Sequence, residues 1–242
     1  MDSLAENLKA FKFDPVEGAR RYQERVAEQR LAMEQRCATA NAQRKDVAWQ
    51  TRKLEAIGVP KRFVGAKVGD FPNKVYFPVL TRWTKGESGF LHGDTGTGKT
   101  HFAVALLRAK LEFDEFTYTE DDGRFTVIEP KTPKFTTVPQ LLQEIRGTFG
   151  DNERTDRLIE TYQKADCLVL DDLGAEKSSD WSLEILYLII DSRYSGLRQL
   201  LVTSNLHMDE IATKLGDRVA SRLSGLGFVI ELQGKDRRVN RA

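Results

Sequence analysis

Gly93-Asp94-Thr95-Gly96-Thr97-Gly98-Lys99-Thr100 fits G-x-x-x-x-G-K-[ST] at every fixed position. Glycines at these positions let backbone N–H groups turn inward around phosphate oxygens, where a Cβ would obstruct. Lys99 has the reach for the β- and γ-phosphates of a nucleoside triphosphate, and the Thr100 hydroxyl suits a Mg²⁺ ion. Phe90-Leu91-His92 reads as the strand entering this loop and Phe102–Leu111 as the helix leaving it, so a helix N-terminus faces the anion. A second constellation, Cys167-Leu168-Val169-Leu170-Asp171-Asp172, is an apolar strand ending in two carboxylates. Asp171 would hold the metal through water, and Asp172 would orient and polarise an attacking water. Alone, the pair would merely cap the turn at Leu173-Gly174; beside a phosphate loop it reads as a metal site. A third strand runs into Thr203-Ser204-Asn205, where the Asn205 amide could fix the same water or touch the γ-phosphate. Asn is equally a common turn residue, so this third signal is weak by itself.

These groups need a scaffold that gathers strand ends. From Gly89 onward apolar strands alternate with amphipathic helices, the pattern of an α/β fold with a largely parallel sheet. Strands are expected near 89–92, 134–138, 166–171, 198–204 and 227–232, and helices near 99–111, 139–149, 152–164, 180–194 and 207–214. Residues 112–133 interrupt this core, 89–242, as a hairpin insertion around Asp121-Asp122-Gly123, with six acidic residues and no Lys or Arg across 112–122. Upstream, 1–57 reads as a helical arm. Asp14-Pro15-Val16-Glu17 supplies cap, first-turn proline and returning glutamate, and Ile57-Gly58-Val59-Pro60 supplies the stop. Ala19, Val26, Met33, Ala40, Val47 and Leu54 recur every seven residues, but their alternates, among them Gln29, Arg36, Gln43 and Gln50, are mostly polar. Such a narrow stripe needs its own globular domain, a partner protein, or a fold-back near Thr39–Asn41. Residues 58–88, with Gly, Pro and Lys in irregular order, read as a connector.

The 242 residues carry 37 basic and 36 acidic side chains, so global charge argues for neither nucleic acid nor membrane. The distribution is uneven: 13 basic against 9 acidic in 1–62, and 24 against 27 in 63–242. Two cysteines, Cys37 and Cys167, make neither a disulfide framework nor a structural zinc site. The N-terminus lacks the apolar stretch of a secretory signal, and the longest apolar runs, Ile185–Ile190 among them, are too short to cross a bilayer. The expectation is a reduced, cytoplasmic protein without membrane contact.

In order along the chain come the phosphate loop with His101-Phe102-Ala103, LVLDDLGAEK at 168–177, the helix to Ile190-Asp191-Ser192-Arg193-Tyr194, TSN at 203–205 and GDRVASRL at 216–223. Together they resemble the AAA+ ATPases of the DnaC/IstB group: bacterial and phage replicative-helicase loaders, and transposition helper ATPases. GVPKRFVGAKVGDF at 58–71 looks like the segment leading into that group's core, so the resemblance covers about three quarters of the chain, from Gly58 onward. It implies a P-loop AAA+ core with a mainly parallel five-stranded sheet and little or no C-terminal lid, binding ATP and Mg²⁺. Position 172 is Asp where many AAA+ enzymes carry Glu, which implies slow or partner-dependent hydrolysis. By the same resemblance Asn205 is the sensor-1 residue, and Arg222 matches the arginine finger inserted into a neighbouring subunit's nucleotide, with Arg218 as its companion. Arg238 matches a sensor-2 arginine, with Arg237 as a rival.

The implied job is ATP-dependent loading of a DnaB-type replicative helicase onto single-stranded DNA. The arm would dock on the helicase and the AAA+ cores would self-associate. Lys134, Arg146, Arg154 and Arg157 could contact phosphates and Phe149 could stack on a base, or they are ordinary surface. The alternative inside the group is a transposition helper that binds duplex DNA and stimulates a transposase. Outside it stand a monomeric small-molecule kinase with an Arg-rich lid and a nucleotide-switched adaptor with negligible turnover.

Overall fold

Side chains alternate across a pleated strand, and in this chain the alternation fills two cores, one on each face of a single sheet. The computed structural model describes residues 15–130, 132–177 and 179–234. They fall into two compact units, the described parts of Met1–Gln43 with Glu115–Pro130, and of Arg44–Asp114 with Lys131–Ala242.

The larger unit runs α2 (Val47–Ala56), a short 3-10 turn (Val68–Asp70), α3 (Asn73–Thr84), β1 (Gly89–His92) and α4 (Lys99–Phe113). It resumes with β4 (Pro133–Thr137), α5 (Val138–Arg146), α6 (Asn152–Lys164), β5 (Cys167–Leu173), α7 (Asp180–Ser195), β6 (Gln199–Ser204), α8 (Met208–Leu215), α9 (Asp217–Ser224) and β7 (Phe228–Glu231). The strands order β4-β5-β6-β1-β7, and each neighbouring pair is parallel. The expected α/β fold with a five-stranded parallel sheet is therefore what forms. Phe90, Leu168, Leu170, Leu200 and Val202 face one core with α5 to α9. Leu91, Val169 and Leu201, one position along each strand, face the other with α2, α3 and α4.

One expectation fails, and one of the alternatives for the arm is excluded. The stretch 58–88 is not an irregular connector throughout, because 73–84 is a helix with Pro78 inside it. A proline removes one intrahelical hydrogen bond. Here Val79 and Trp83, one turn apart, are both buried, and the Trp83 Nε1–H donates to the Leu106 carbonyl at 2.9 Å. Packing outweighs the missing bond. The long helix α1 (Pro15–Lys45) does not turn near Thr39–Asn41. It ends at Asp46, whose carboxylate accepts the Trp49 N–H at 2.6 Å and caps α2. Leu54 of α2 is fully buried among α4 residues, so this stretch packs with the larger unit.

The smaller unit joins α1 to an antiparallel hairpin, β2 (Thr117–Asp121) and β3 (Arg124–Ile128). Arg30 pairs with Glu120 at 2.7 Å, and the Tyr118 hydroxyl donates to Glu34 at 3.0 Å. Asn41 exchanges two hydrogen bonds with the Phe116 backbone at 2.7 and 3.1 Å. Val26 and Tyr22 lie against Gly123, where positive φ and close approach leave no room for a Cβ. On α1 the stripe thus meets the hairpin at Val26, while its last member, Leu54, packs in the larger unit. The Asp14 cap lies outside the described residues, as do Arg237 and Arg238.

Arg193, on α7, shows how tightly the larger unit is tied. Its guanidinium is fully buried and donates to the carbonyls of Tyr162 at 2.8 Å, Gln163 at 3.1 Å and Gln199 at 2.6 Å, with its pKa pulled down to about 10 by burial. Arg193→Met orphans buried acceptors and should cost about 2–3 kcal/mol in urea unfolding. A loss under about 0.5 kcal/mol, typical of an exposed substitution, would show that the carbonyls find other donors.

Candidate functional site

Order in the sheet explains why distant motifs meet. β6 lies between β1, which carries the phosphate loop, and β5, which carries the carboxylates, so the three C-terminal ends are neighbours. That edge is where ligands of α/β sheets collect. A cleft of about 620 Å³ opens there, lined by Thr95, Gly96, Gly98, Lys99, Thr100, Asp172 and Asn205, and on its far wall by Arg62, Phe63, Gly65, Ala66, Asp70 and His101.

The loop takes its shape from its glycines. Gly93, Gly96 and Gly98 all have positive φ, and a Cβ on Gly93 would fall 2.3 Å from the carbonyl oxygen of Leu232, just past the end of β7. Gly93 and Thr97 are buried, and Asp94 is exposed. Thr97 Oγ1 donates to the Asp94 carbonyl at 2.8 Å. Lys99 is buried, with Nζ donating to the carbonyls of Gly93 at 2.7 Å and Asp94 at 2.8 Å. α4 begins at Lys99, so its first-turn amides face the cleft.

Adjacent side chains of a regular strand point to opposite faces, yet Asp171 and Asp172 both serve this edge. A bulge between Leu170 and Leu173 and a left-handed backbone at Asp172 (φ 58°) make that possible. The Thr100 hydroxyl lies 3.0 Å from both Asp171 carboxylate oxygens, and Thr203 Oγ1 donates to Asp171 Oδ1 at 2.6 Å. The same Thr203 oxygen accepts the Asp172 N–H at 3.0 Å. Asp171 is 2% exposed, and burial pushes its pKa up to about 6 against the pull of the Thr203 and Thr100 bonds. A buried carboxylate beside a hydroxyl is a hard oxygen pair of the kind that binds Mg²⁺. No group of three or more His, Cys, Asp or Glu placed to hold a metal ion by itself occurs among the described residues. Nucleotide-bound Mg²⁺ needs only one or two protein oxygens, because phosphates and water complete its shell.

Asn205, exposed at the end of β6, shares the cleft with Asp172. Arg218 and Arg222 are not among its described lining residues. They lie on α9, where Arg222 Nε donates to Asp191 at 2.7 Å. Of the residues offered for DNA, Lys134 sits over the Tyr162 ring at 4.5 Å and Arg146 over Trp181 at 4.8 Å. Arg157 is paired with Glu153, Phe149 packs edge-on to Trp181 at 5.3 Å, and the Arg154 side chain is exposed.

Sequence reasoning missed Thr203 and the far wall. A hydroxyl inside a fully buried strand was the available signal for Thr203. The wall is pinned to α4 at two places. The His101 ring lies 2.6 Å from Asp70, and buried Arg108 donates to the carbonyls of Ala66 at 3.0 Å and Val64 and to the Gln50 side chain at 2.8 Å. An arginine within the apolar run of α4 marked the second pin; partners 31 positions apart left the first without a local sign.

Residues 62–231 match the bacterial DnaA ATPase domain. The chain belongs to that family. As a member of an AAA+ ATPase family it is a nucleotide-binding chain, and the resemblance to DnaC-type loaders is borne out. The replicative helicase loader DnaC of Buchnera aphidicola subsp. Baizongia pistaciae is 29% identical over 133 residues, which are 54% of this chain and 48% of that protein. The chain spans about half the length of the curated relatives it matches. Two solved structures share the fold. A DnaC helicase loader gives a TM-score of 0.59 at 23% identity, over 72% of this chain and 100% of that one. A replication initiator DnaA bound to AMPPCP and single-stranded DNA gives 0.56 at 18%, over 74% and 52%. Among the described residues no helix is long and apolar enough to cross a membrane.

The raised Asp171 pKa makes stability depend on pH. The group favours its protonated form when folded, so its contribution is full below about pH 4 and is lost as pH rises through about 6. Asp171→Asn removes the buried charge. At pH 8 it should unfold with a free energy higher by about 1–3 kcal/mol, the gap closing near pH 4. Equal stability of the two proteins at pH 8 would show that the carboxylate is not penalised by burial.

Proposed function

We propose that this chain is an ATP-dependent loader of a replicative DNA helicase, acting through ATP hydrolysis in an assembly of AAA+ cores. The observation that carries the reading is the agreement of sequence and fold with proteins described as DnaC helicase loaders. The cleft supplies matching chemistry. Lys99 would exchange its carbonyl bonds for oxygens of the β- and γ-phosphates, and the first amides of α4 would donate to the same anion. Mg²⁺, held by the Thr100 hydroxyl and through water by Asp171, would neutralise charge across those phosphates. Asp172 is the group to orient the attacking water, and Asn205 opposite it the amide to hold that water in line. The aspartate at 172 is one methylene shorter than glutamate, and turnover is slow until a partner improves its aim.

Arg222, away from its own cleft, would complete the site of a neighbouring subunit, where a preorganised cation stabilises charge developing on the transferred phosphoryl group. Nucleotide binding then favours assembly, because the complete site exists only between subunits. Lys99→Ala should abolish ATP binding. Arg222→Ala should keep binding but lower turnover at least about 100-fold, the scale of a missing arginine donor. Turnover of Arg222→Ala within about threefold of wild type would remove the trans arginine from this account.

The arm would dock on a DnaB-type helicase, and the helicase would be placed on single-stranded DNA. Val16 and Leu31 of α1 are 78% and 56% exposed. Co-elution of the full chain with the host's replicative helicase in Mg-ATP is expected, and Val16→Asp with Leu31→Asp should abolish it. Retention on duplex DNA with no helicase binding would favour the transposition helper instead.

A further inference from the structure

Two arginines of α9 and three residues of α7 are in register. Arg218 and Arg222 are one turn apart on α9, and Tyr187, Asp191 and Tyr194 fall at i, i+4 and i+7 on one face of α7. The Arg218 guanidinium lies over the Tyr187 ring at 5.9 Å and that of Arg222 over Tyr194 at 5.1 Å. Between the two rings, Asp191 Oδ1 accepts from Arg222 Nε at 2.7 Å, with the Arg222 and Asp191 side chains 33% and 30% exposed. The bond runs through Nε, which leaves the Nη fork for a second, bidentate acceptor such as a pair of phosphate oxygens.

We propose that Asp191 is a positioning residue that presents Arg222, already oriented, to the nucleotide held by a neighbouring copy of this chain. The proposal rests on the reading of Arg222 as an arginine acting in trans. A free arginine side chain has large rotamer freedom and must lose it on reaching a phosphate. An aromatic ring on one side and a carboxylate behind Nε remove that freedom beforehand, so less of the interaction is spent on ordering. Asp191 acts through Arg222, the group its carboxylate holds. An ordinary half-exposed ion pair would have no preference for one subunit over another.

Mixing variants of the full chain tests this. Arg222→Ala subunits keep an intact cleft and lack the arginine, while Lys99→Ala subunits present the arginine and have a disabled cleft. Combined in Mg-ATP, the two should recover turnover that neither shows alone. With Lys99→Ala/Asp191→Ala as the donor, recovery should fall about tenfold, and Lys99→Ala/Asp191→Asn should recover part of it because its amide oxygen still accepts from Nε. Asp191→Ala placed in the acceptor, as Arg222→Ala/Asp191→Ala, should leave recovery unchanged. Full recovery with the Asp191→Ala donor, or equal loss from either placement, overturns the proposal. Failure of the Lys99→Ala donor itself overturns the trans reading, and the positioning role with it, so the two failures are distinct.

Discussion

One hydroxyl on the middle strand sets the geometry at the sheet edge. Thr203 stands on β6 between the strand that carries the phosphate loop and the strand that carries the carboxylates. It donates a hydrogen bond to Asp171 and accepts one from the Asp172 N–H, and so holds the two consecutive residues of a bulged strand in different roles. Asp171 turns inward to Thr100, and Asp172 turns out to the cleft. A buried carboxylate is expensive to ionise, and its hydrogen bonds from two threonines offset part of that cost. Everything else at the edge is arranged around this cluster: β1 delivers Lys99 and Thr100, β5 the two aspartates, and β6 the threonine together with Asn205.

What could be read from the sequence was local. The phosphate loop is eight consecutive residues whose types follow from one anion, and the strand carrying Asp171 and Asp172 is an unbroken apolar run with a charged end. Strand alternation and helix periodicity then suffice for the α/β sheet, since each is a short-range pattern. The relations that escaped are long-range or run against local preference. Thr203 to Asp171 is 32 positions, and His101 to Asp70 is 31. The helix at 73–84 hides behind Pro78 because tertiary burial of Trp83 overrides a local penalty. The heptad stripe of the arm was legible as a surface needing cover, but no periodicity names the cover.

That cover is the acidic hairpin. Its negative charge, unexplained as sequence, meets the arm at Arg30, while the Tyr118 hydroxyl donates to Glu34 beside it. The helix α1 and the hairpin therefore form a small composite in which Val26 faces Gly123 while Val16 and Leu31 are exposed. On the larger unit, by contrast, the exposed arginines of α9 are backed by aromatic rings of α7. The first surface is held by packing against a distant segment, the second by register between two helices.

The Tyr22 hydroxyl bonds to the Asp122 carbonyl across 100 positions of sequence. A ribosome adding roughly 5–20 residues per second makes the helix some 5–20 s before the hairpin that covers it. For that interval the nascent arm must stay in water with its stripe bare, a hazard for any strongly apolar surface. The polar residues that interrupt the stripe, and the ion pairs of Arg20 with Glu24 and Arg21 with Glu17 along the same helix, make the wait tolerable. The weakness of the stripe as a sequence signal is, during synthesis, what keeps the unfinished chain soluble.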